Sequence, residues 1–343
     1  MTGPAQPSTS APAASARRRM PSLLPALCLT SALTLLLASV TGSVTVPWTR
    51  WPALLFSTAP LAAQDALLQA VLAVRLPRVL AAFACGGLLA VAGAMMQVLL
   101  ANPLADPYVL GVSGGAATGA LLVLMLGVAA LPVSMGALLG AGVALTLVLM
   151  RGSRDHQQDT TRLLLGGVVL AAGWSALITL LLALAPESRL RGMVFWLMGD
   201  LDGVTAWWLP TTALALVLIL LRPLAADLNV LLRGEVLAFS LGVPVARRRL
   251  QLVLLAGLAT ALAVATVGSI GFVGLLVPHA VRLRIGNDQR RLLPASALLG
   301  GCLLTLADLA ARTCCSPVQL PVGVLTALLG VPCFLWLLRG TRS

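Results

Sequence analysis

The chain of 343 residues is 59% hydrophobic and only 10% charged, with a mean hydropathy of +0.99. Soluble domains carry about a quarter charged residues, so there is too little polar side chain to cover a water-facing surface, and the chain reads as an all-α, polytopic membrane protein. The net charge of +12 rests on 23 basic residues, all arginine. Without lysine the chain cannot supply the Gly-Lys-Ser/Thr lysine of a P-loop. Arginines gathered at the ends of apolar runs are topology signals before they are a nucleic-acid footprint, so no nucleic-acid partner is expected.

Residues 1–20, rich in Pro, Ala, Ser and Thr, predict a disordered cytoplasmic tail. Arg17, Arg18 and Arg19 resemble a signal-peptide n-region, but the apolar run behind them reaches Val40. That is longer than an h-region of about 7–15 residues, so an uncleaved first span is expected. From residue 21 to 343 the chain predicts one transmembrane domain. Ten apolar runs lie at 22–41, 79–101, 109–127, 132–150, 163–184, 206–222, 250–268, 271–285, 293–311 and 320–338, separated by turns with Pro, Gly, Asp or Arg. With the N-terminus inside, 17 arginines fall on inner segments and six, Arg50, Arg75, Arg78, Arg189, Arg191 and Arg312, on outer ones. This bias places both termini in the cytoplasm.

Between the second and third spans, QVLLANPLADPYVLGVSGGAATGA (97–120) interrupts the apolar pattern with Asn-Pro, Asp-Pro and Gly-Gly. The expectation is a cytoplasmic turn with irregular backbone over 102–115, followed by glycines that let the third span pack closely. Further on, LAVATVGSIGFVGLLVP (262–278) faintly echoes LAVAGAMMQVLLANP (89–103) in spans of opposite direction, as inverted-repeat transporters do. The longest inner loop, 221–249, is too polar to span. Its centre, Leu228 to Leu241, has helical periodicity with a stop at Gly242, which predicts a short surface helix that is either an ordinary loop helix or a docking surface.

Chemistry-bearing side chains are scarce. His156 and His279 lie near inner span ends, and no His, Cys or carboxylate spacing matches a metal site. Cys314-Cys315 lies on the outer side, as two packed thiols or, less simply, a vicinal disulfide. Of the 11 acids nearly all fall in loops, and Asp308 stands four residues before Arg312, a helical i,i+4 pair. No catalytic, metal-binding or cofactor-binding residue is expected. An ion-coupled secondary transporter stays as the alternative from a different class, although it would favour an ionisable group near mid-membrane.

Four segments carry a resemblance: RLPRVLAAFACGGLLAVAGAMMQVLLANPLADPYVLGVSGGAATGA (75–120), LNVLLRGEVLAFSLGV (228–243), GSIGFVGLLVPHAVRLRIGNDQRRLLP (268–294) and ADLAARTCCSPVQLPVGVLTALLGVPCFLWLL (307–338). In order and spacing they resemble the type II ABC importer permeases of the iron-siderophore, haem and cobalamin (FecCD-type) family. The resemblance implies a ten-helix subunit in the bacterial inner membrane, paired as a homodimer around a translocation path. It also implies two cytoplasmic subunits that bind ATP and Mg, and a periplasmic substrate-binding protein. By the same resemblance Arg75, Arg78 and Arg312 meet acidic residues of the binding protein, a task suited to the planar fork of arginine. The stretch around Gly234, Glu235 and Gly242 couples to the ATPase, and Asn102, Leu104, Thr160 and Thr161 form a cytoplasmic gate. The spans offer few polar groups, which leans the expected cargo toward haem, with ferric siderophore and cobalamin as alternatives.

Overall fold

The structure, a computed structural model, describes residues 23–42, 63–127, 131–152, 159–315 and 318–340. The expected tail with Arg17–Arg19, and Arg50, Asp155 and His156, lie outside the described residues. Within them the chain forms twelve α-helices and no strand: α1 (Leu23–Val40), α2 (Ala63–Leu99), α3 (Val112–Leu126), α4 (Val133–Gly152), α5 (Asp159–Leu184), α6 (Glu187–Leu197), α7 (Trp208–Leu231), α8 (Glu235–Ser240), α9 (Val245–Val267), α10 (Val273–Ile285), α11 (Gln289–Thr313) and α12 (Val322–Gly340). A 3₁₀ turn, Pro107–Leu110, precedes α3.

Each of the ten apolar runs is a helix, and α6 and α8 are the two helices that no run predicted. Among the described residues, seven helices are long and apolar enough to cross a bilayer: α1, α2, α4, α5, α7, α9 and α11. The other three runs form the 15-residue α3, the 13-residue α10 and the 19-residue α12.

Three boundaries differ from expectation by five residues or more. The second span was expected at 79–101, yet α2 begins at Ala63 and runs for 37 residues, passing through Pro77. At 1.5 Å per residue it is about 55 Å long, against a hydrocarbon core of about 30 Å, so its first turns stand clear of the bilayer. The sixth span was expected to stop at 222, but α7 continues through Pro223 to Leu231. Leu221, Leu224, Ala225, Leu228 and Leu231 stay buried at helical spacing across the proline, and that stripe holds the helix together. The loop that carries α8 is correspondingly shorter, and α9 starts at Val245 rather than 250.

Helix α2 is the centre of the fold. Of its best span window 89% is buried, against 6% for α5, and it packs on α7, α9, α10 and α11. Small residues permit this closeness: a Cβ on Gly93 would lie 1.8 Å from the carbonyl oxygen of Gly274 in α10, and one on Gly86 2.2 Å from that of Gly300 in α11. Bilayer helices lack a hydrophobic drive toward one another and gain by such backbone contact.

After Leu99 the chain does more than turn. Ala101 takes a left-handed backbone (φ 48), and Asn102 to Leu104 are exposed. The chain then travels back along α2, so that Pro107 reaches the Leu89–Gly93 level: a Cβ on Gly274 would meet Pro107 Cδ at 2.7 Å and the Leu89 carbonyl at 3.0 Å. Thus Pro107, which opens the 3₁₀ turn before α3, stands about 9–15 Å back from the α2 terminus. A second break, Gly268–Phe272, separates α9 from α10 and includes Phe272 in a left-handed conformation (φ 68). The two echoing segments of the sequence therefore hold the two broken helices, and Gly93 and Gly274, one in each, are in direct contact.

Candidate functional site

The two helix breaks are joined by one phenol. The Tyr108 hydroxyl donates to the Ile270 carbonyl at 2.8 Å and accepts from the Ile270 N–H at 2.9 Å. Asp106 caps the 3₁₀ turn below it, accepting from the Tyr108 N–H at 2.8 Å. Non-helical backbone within an apolar fold must find its partners in the protein; Ile270 finds both of its own on a single side chain. Sequence reading singled out the 97–120 stretch but gave Tyr108 no such role, because its partner is 162 residues away.

Of the expected gate residues, Asn102 and Leu104 sit together on the exposed bend after α2. Asn102 Oδ1 accepts from the Leu104 N–H at 2.9 Å, which closes a local turn. Thr160 and Thr161 fall in the first turn of α5, and their side chains lie outside the described residues.

At one end of the molecule α8 projects between two glycines. Gly234 (φ 115) and Gly242 (φ 78) hold backbone conformations that other residues resist, and a Cβ at either would meet no atom within 4 Å. They are glycines for the sake of the chain path and not for space. Ala238 is fully buried, whereas Val236 is 87%, Phe239 79% and Leu241 63% exposed. Apolar side chains are thus thrust outward on and just after a six-residue helix. The mounting is polar: Glu235 pairs with Arg249, and Arg248 Nε lies 2.6 Å from Asp227 Oδ2. Asn229 Nδ2 donates to Asp288 Oδ1 at 2.8 Å, and Asn229 Oδ1 accepts from the Gln289 N–H at 2.8 Å. The base of α8 is therefore fastened to α7, α9 and the α10–α11 turn.

At the opposite end three arginines converge where the C-terminal ends of α1 and α11 meet the Arg75–Arg78 turn within α2. Arg78 Nε donates to Asp308 Oδ1 at 2.9 Å, and Arg78 Nη2 lies 2.9 Å from the same oxygen. Arg312 Nε lies 2.9 Å from Asp308 Oδ2, the i,i+4 pair read from the sequence. Asp308 is fully buried; Arg75, Arg78 and Arg312 are 6%, 5% and 7% exposed. Arg78 Nη1 faces the other way, donating to Gln319 Oε1 at 3.1 Å and reaching Asp202 Oδ1 at 3.5 Å. Arg75 Nη1 and Arg312 Nη2 donate to the Val40 and Ala38 carbonyls at the C-terminus of α1 (3.2 and 3.4 Å), where the helix dipole favours cations. The hub role of Asp308 and the contributions of Asp202 and Gln319 were not read from the sequence. Nearby Cys314 and Cys315 are free and exposed.

Beside this cluster a cavity of about 820 Å³ opens between α3, α4, α6 and α9, bordered by Arg191, Phe195, Trp196, Asp200, Asp202 and Thr266. Its floor is tied to two helix ends: the Asp200 N–H donates to the Val267 carbonyl at 2.9 Å, and the Val322 and Gly323 N–H groups donate to Gly199 and Met198 at 3.1 and 3.0 Å.

Broken helices meeting inside an all-helical bundle, an apolar projection at one end and an arginine cluster at the other define a multi-pass membrane transport subunit. The FecCD transport family matches residues 29–340, and the chain belongs to it, as a type II ABC importer permease. It is 42% identical over 277 residues to the vitamin B12 import system permease protein BtuC of Escherichia coli O9:H4 (strain HS), covering 78% of this chain and 83% of that relative. It is 41% identical over 287 residues to the hemin transport system permease protein HmuU of Yersinia pestis, covering 81% of this chain and 86% of that one. Among solved structures, an ABC transporter described as of metal-chelate type, in an inward-facing conformation, superposes with a TM-score of 0.81 at 31% identity, over 92% of this chain and 98% of that chain.

Proposed function

We propose that this permease forms a homodimer in the bacterial inner membrane and imports haem, driven by two cytoplasmic ATPase subunits and supplied by a periplasmic binding protein. The observation that carries the reading is the polarity of the molecule. One end offers exposed Val236, Phe239 and Leu241 on a braced helix, and the other gathers Arg75, Arg78 and Arg312. The α8 end is assigned to the cytoplasm by the arginine bias, which puts both termini on that side. ATP and Mg belong to the partner that receives α8.

In this reading α8, with Gly234, Glu235 and Gly242, sits in the ATPase. Its movement passes through the Asp227–Arg248 and Asn229–Asp288 contacts into α7, α9 and α10. Helix α10 abuts α2 through Gly93 and Gly274, about two turns before the bend. Shifts there open or close the bend holding Asn102 and Leu104, and with it Thr160 and Thr161. A gate of small polar and branched groups seals without leaving a charge in the path. The largely uncovered α5 supplies the face toward the second protomer.

Haem suits a path with few polar side chains: between Leu165 and Leu184 of α5 the polar groups are Trp174, Ser175 and Thr179. Cobalamin is the second reading, favoured by the 42% identity to a permease named for vitamin B12 import. Ferric siderophores come behind both.

The test uses the permease with the ATPase and binding protein of the same transporter. Haem and cyanocobalamin are titrated into the binding protein, and each is offered to proteoliposomes of the full complex. Tight binding and ATP-dependent uptake of haem alone support the proposal, and uptake of cobalamin alone replaces haem as cargo. Arg75→Glu with Arg312→Glu should weaken binding-protein docking while the ATPase stays bound; unchanged docking removes the role given to these arginines.

A further inference from the structure

The arginines assigned to docking are already occupied, and the way they are occupied points to an exchange. We propose that Asp202 is an internal stand-in for a binding-protein carboxylate: it holds the outward nitrogen of Arg78 in the undocked permease and is displaced when the binding protein arrives. This rests on the docking role proposed for Arg78.

The guanidinium of Arg78 has two unlike faces. Nε and Nη2 engage Asp308, which has no exposure at all and is also held by Arg312. An incoming group cannot reach that carboxylate. Nη1 faces Gln319 and Asp202 at 3.1 and 3.5 Å. The Asp202 side chain is 65% exposed, so water weakens its attraction to Arg78 to that of an ordinary surface pair. A better-placed carboxylate, able to approach below 3 Å, replaces it at little cost. Asp308 remains in place and keeps Arg78 aimed.

Asp202 also has somewhere to go. It borders the cavity that Arg191 borders as well, so leaving Arg78 does not take it away from every cation. Its loop is the one whose neighbouring residues hold the ends of α9 and α12: the Asp202 N–H donates to Asp200 Oδ1 at 2.8 Å, and the Asp200 N–H to Val267. Exchange at Arg78 thereby signals docking to the loop that ties the α9–α10 break to α12.

A double-mutant cycle on docking tests this. The full permease–ATPase complex in nanodiscs is titrated with the binding protein of the same transporter, for the parent, Asp202→Asn, Arg78→Gln and the double variant. Glu187→Gln, another acid of the same end, controls for loss of one negative charge. Asp202→Asn is expected to tighten docking about three- to fivefold in the parent, Glu187→Gln to leave it within twofold, and Asp202→Asn to have no effect once Arg78 is Gln. Equal effects of Asp202→Asn and Glu187→Gln, or a gain that survives Arg78→Gln, overturns the stand-in while leaving Arg78 as a docking residue. Docking unaffected by Arg78→Gln overturns both.

Discussion

Asparagine in place of Asp308 keeps the side chain's shape and removes the one buried charge that two guanidiniums share. Asp308 is fully buried, with Arg78 and Arg312 nitrogens at 2.9 Å on its two oxygens and neither arginine more than 7% exposed. Removing one member of a buried ion pair costs about 3–5 kcal/mol, because the partner is left charged out of water. Some of that returns, since the amide oxygen still accepts from Arg78 and Gln319 still receives Nη1, so a loss of about 2–4 kcal/mol is expected. At roughly 2 °C per kcal/mol for a chain of this size, the midpoint falls by about 4–8 °C. The assay is thermal unfolding of the detergent-solubilised permease with the exposed Cys28, Cys314, Cys315 and Cys333 blocked beforehand, followed by a thiol-reactive dye that then reads the buried Cys85 and Cys302. Asp202→Asn, at a 65% exposed position, should move the midpoint by no more than about 2 °C. An Asp308→Asn permease as stable as the parent, or one no less stable than Asp202→Asn, would show that the cluster does not hold α2 to α11.

Three further outcomes follow from the same geometry. Tyr108→Phe strips Ile270 of both its hydrogen-bond partners; unfolding should come about 1–3 kcal/mol more easily, and ATP-driven uptake should drop, whereas unchanged stability would mean that the breaks hold without the phenol. Gly93→Val places atoms within 2 Å of the Gly274 carbonyl, and size-exclusion chromatography should find no monodisperse permease. Phe239→Glu on α8 changes only an exposed side chain: the thermal midpoint should stay within about 1 °C while co-purification of the ATPase is lost, and retained ATPase would take the coupling role away from this helix.

Hydrophobic runs made the ten spans legible, since about 20 apolar residues have few other uses, and the periodicity from Leu228 to Leu241 with its stop at Gly242 marked the region of α8, although Leu228 to Leu231 belong to α7. The i,i+4 spacing also gave the Asp308–Arg312 pair. Arg78 joins that pair from 230 residues away, and no local period encodes such a contact. The extension of α2 back to Ala63 was hidden because Asp65, Gln69, Arg75 and Arg78 interrupt the apolar pattern before residue 79; the helix nonetheless runs on through Pro77. Likewise Asn-Pro and Asp-Pro announced a break after Leu99, but a break motif says only that a helix stops. The return of the chain to the Gly93–Gly274 level depends on which glycines face each other.

ATP-dependent haem uptake is the most direct measurement of the central claim. Proteoliposomes containing this permease with its ATPase, and haem-loaded binding protein on the outer side, should accumulate haem only when ATP is enclosed and the binding protein is present. Accumulation by the permease alone, driven by a proton or sodium gradient without ATPase, would contradict the account and place the chain among secondary transporters.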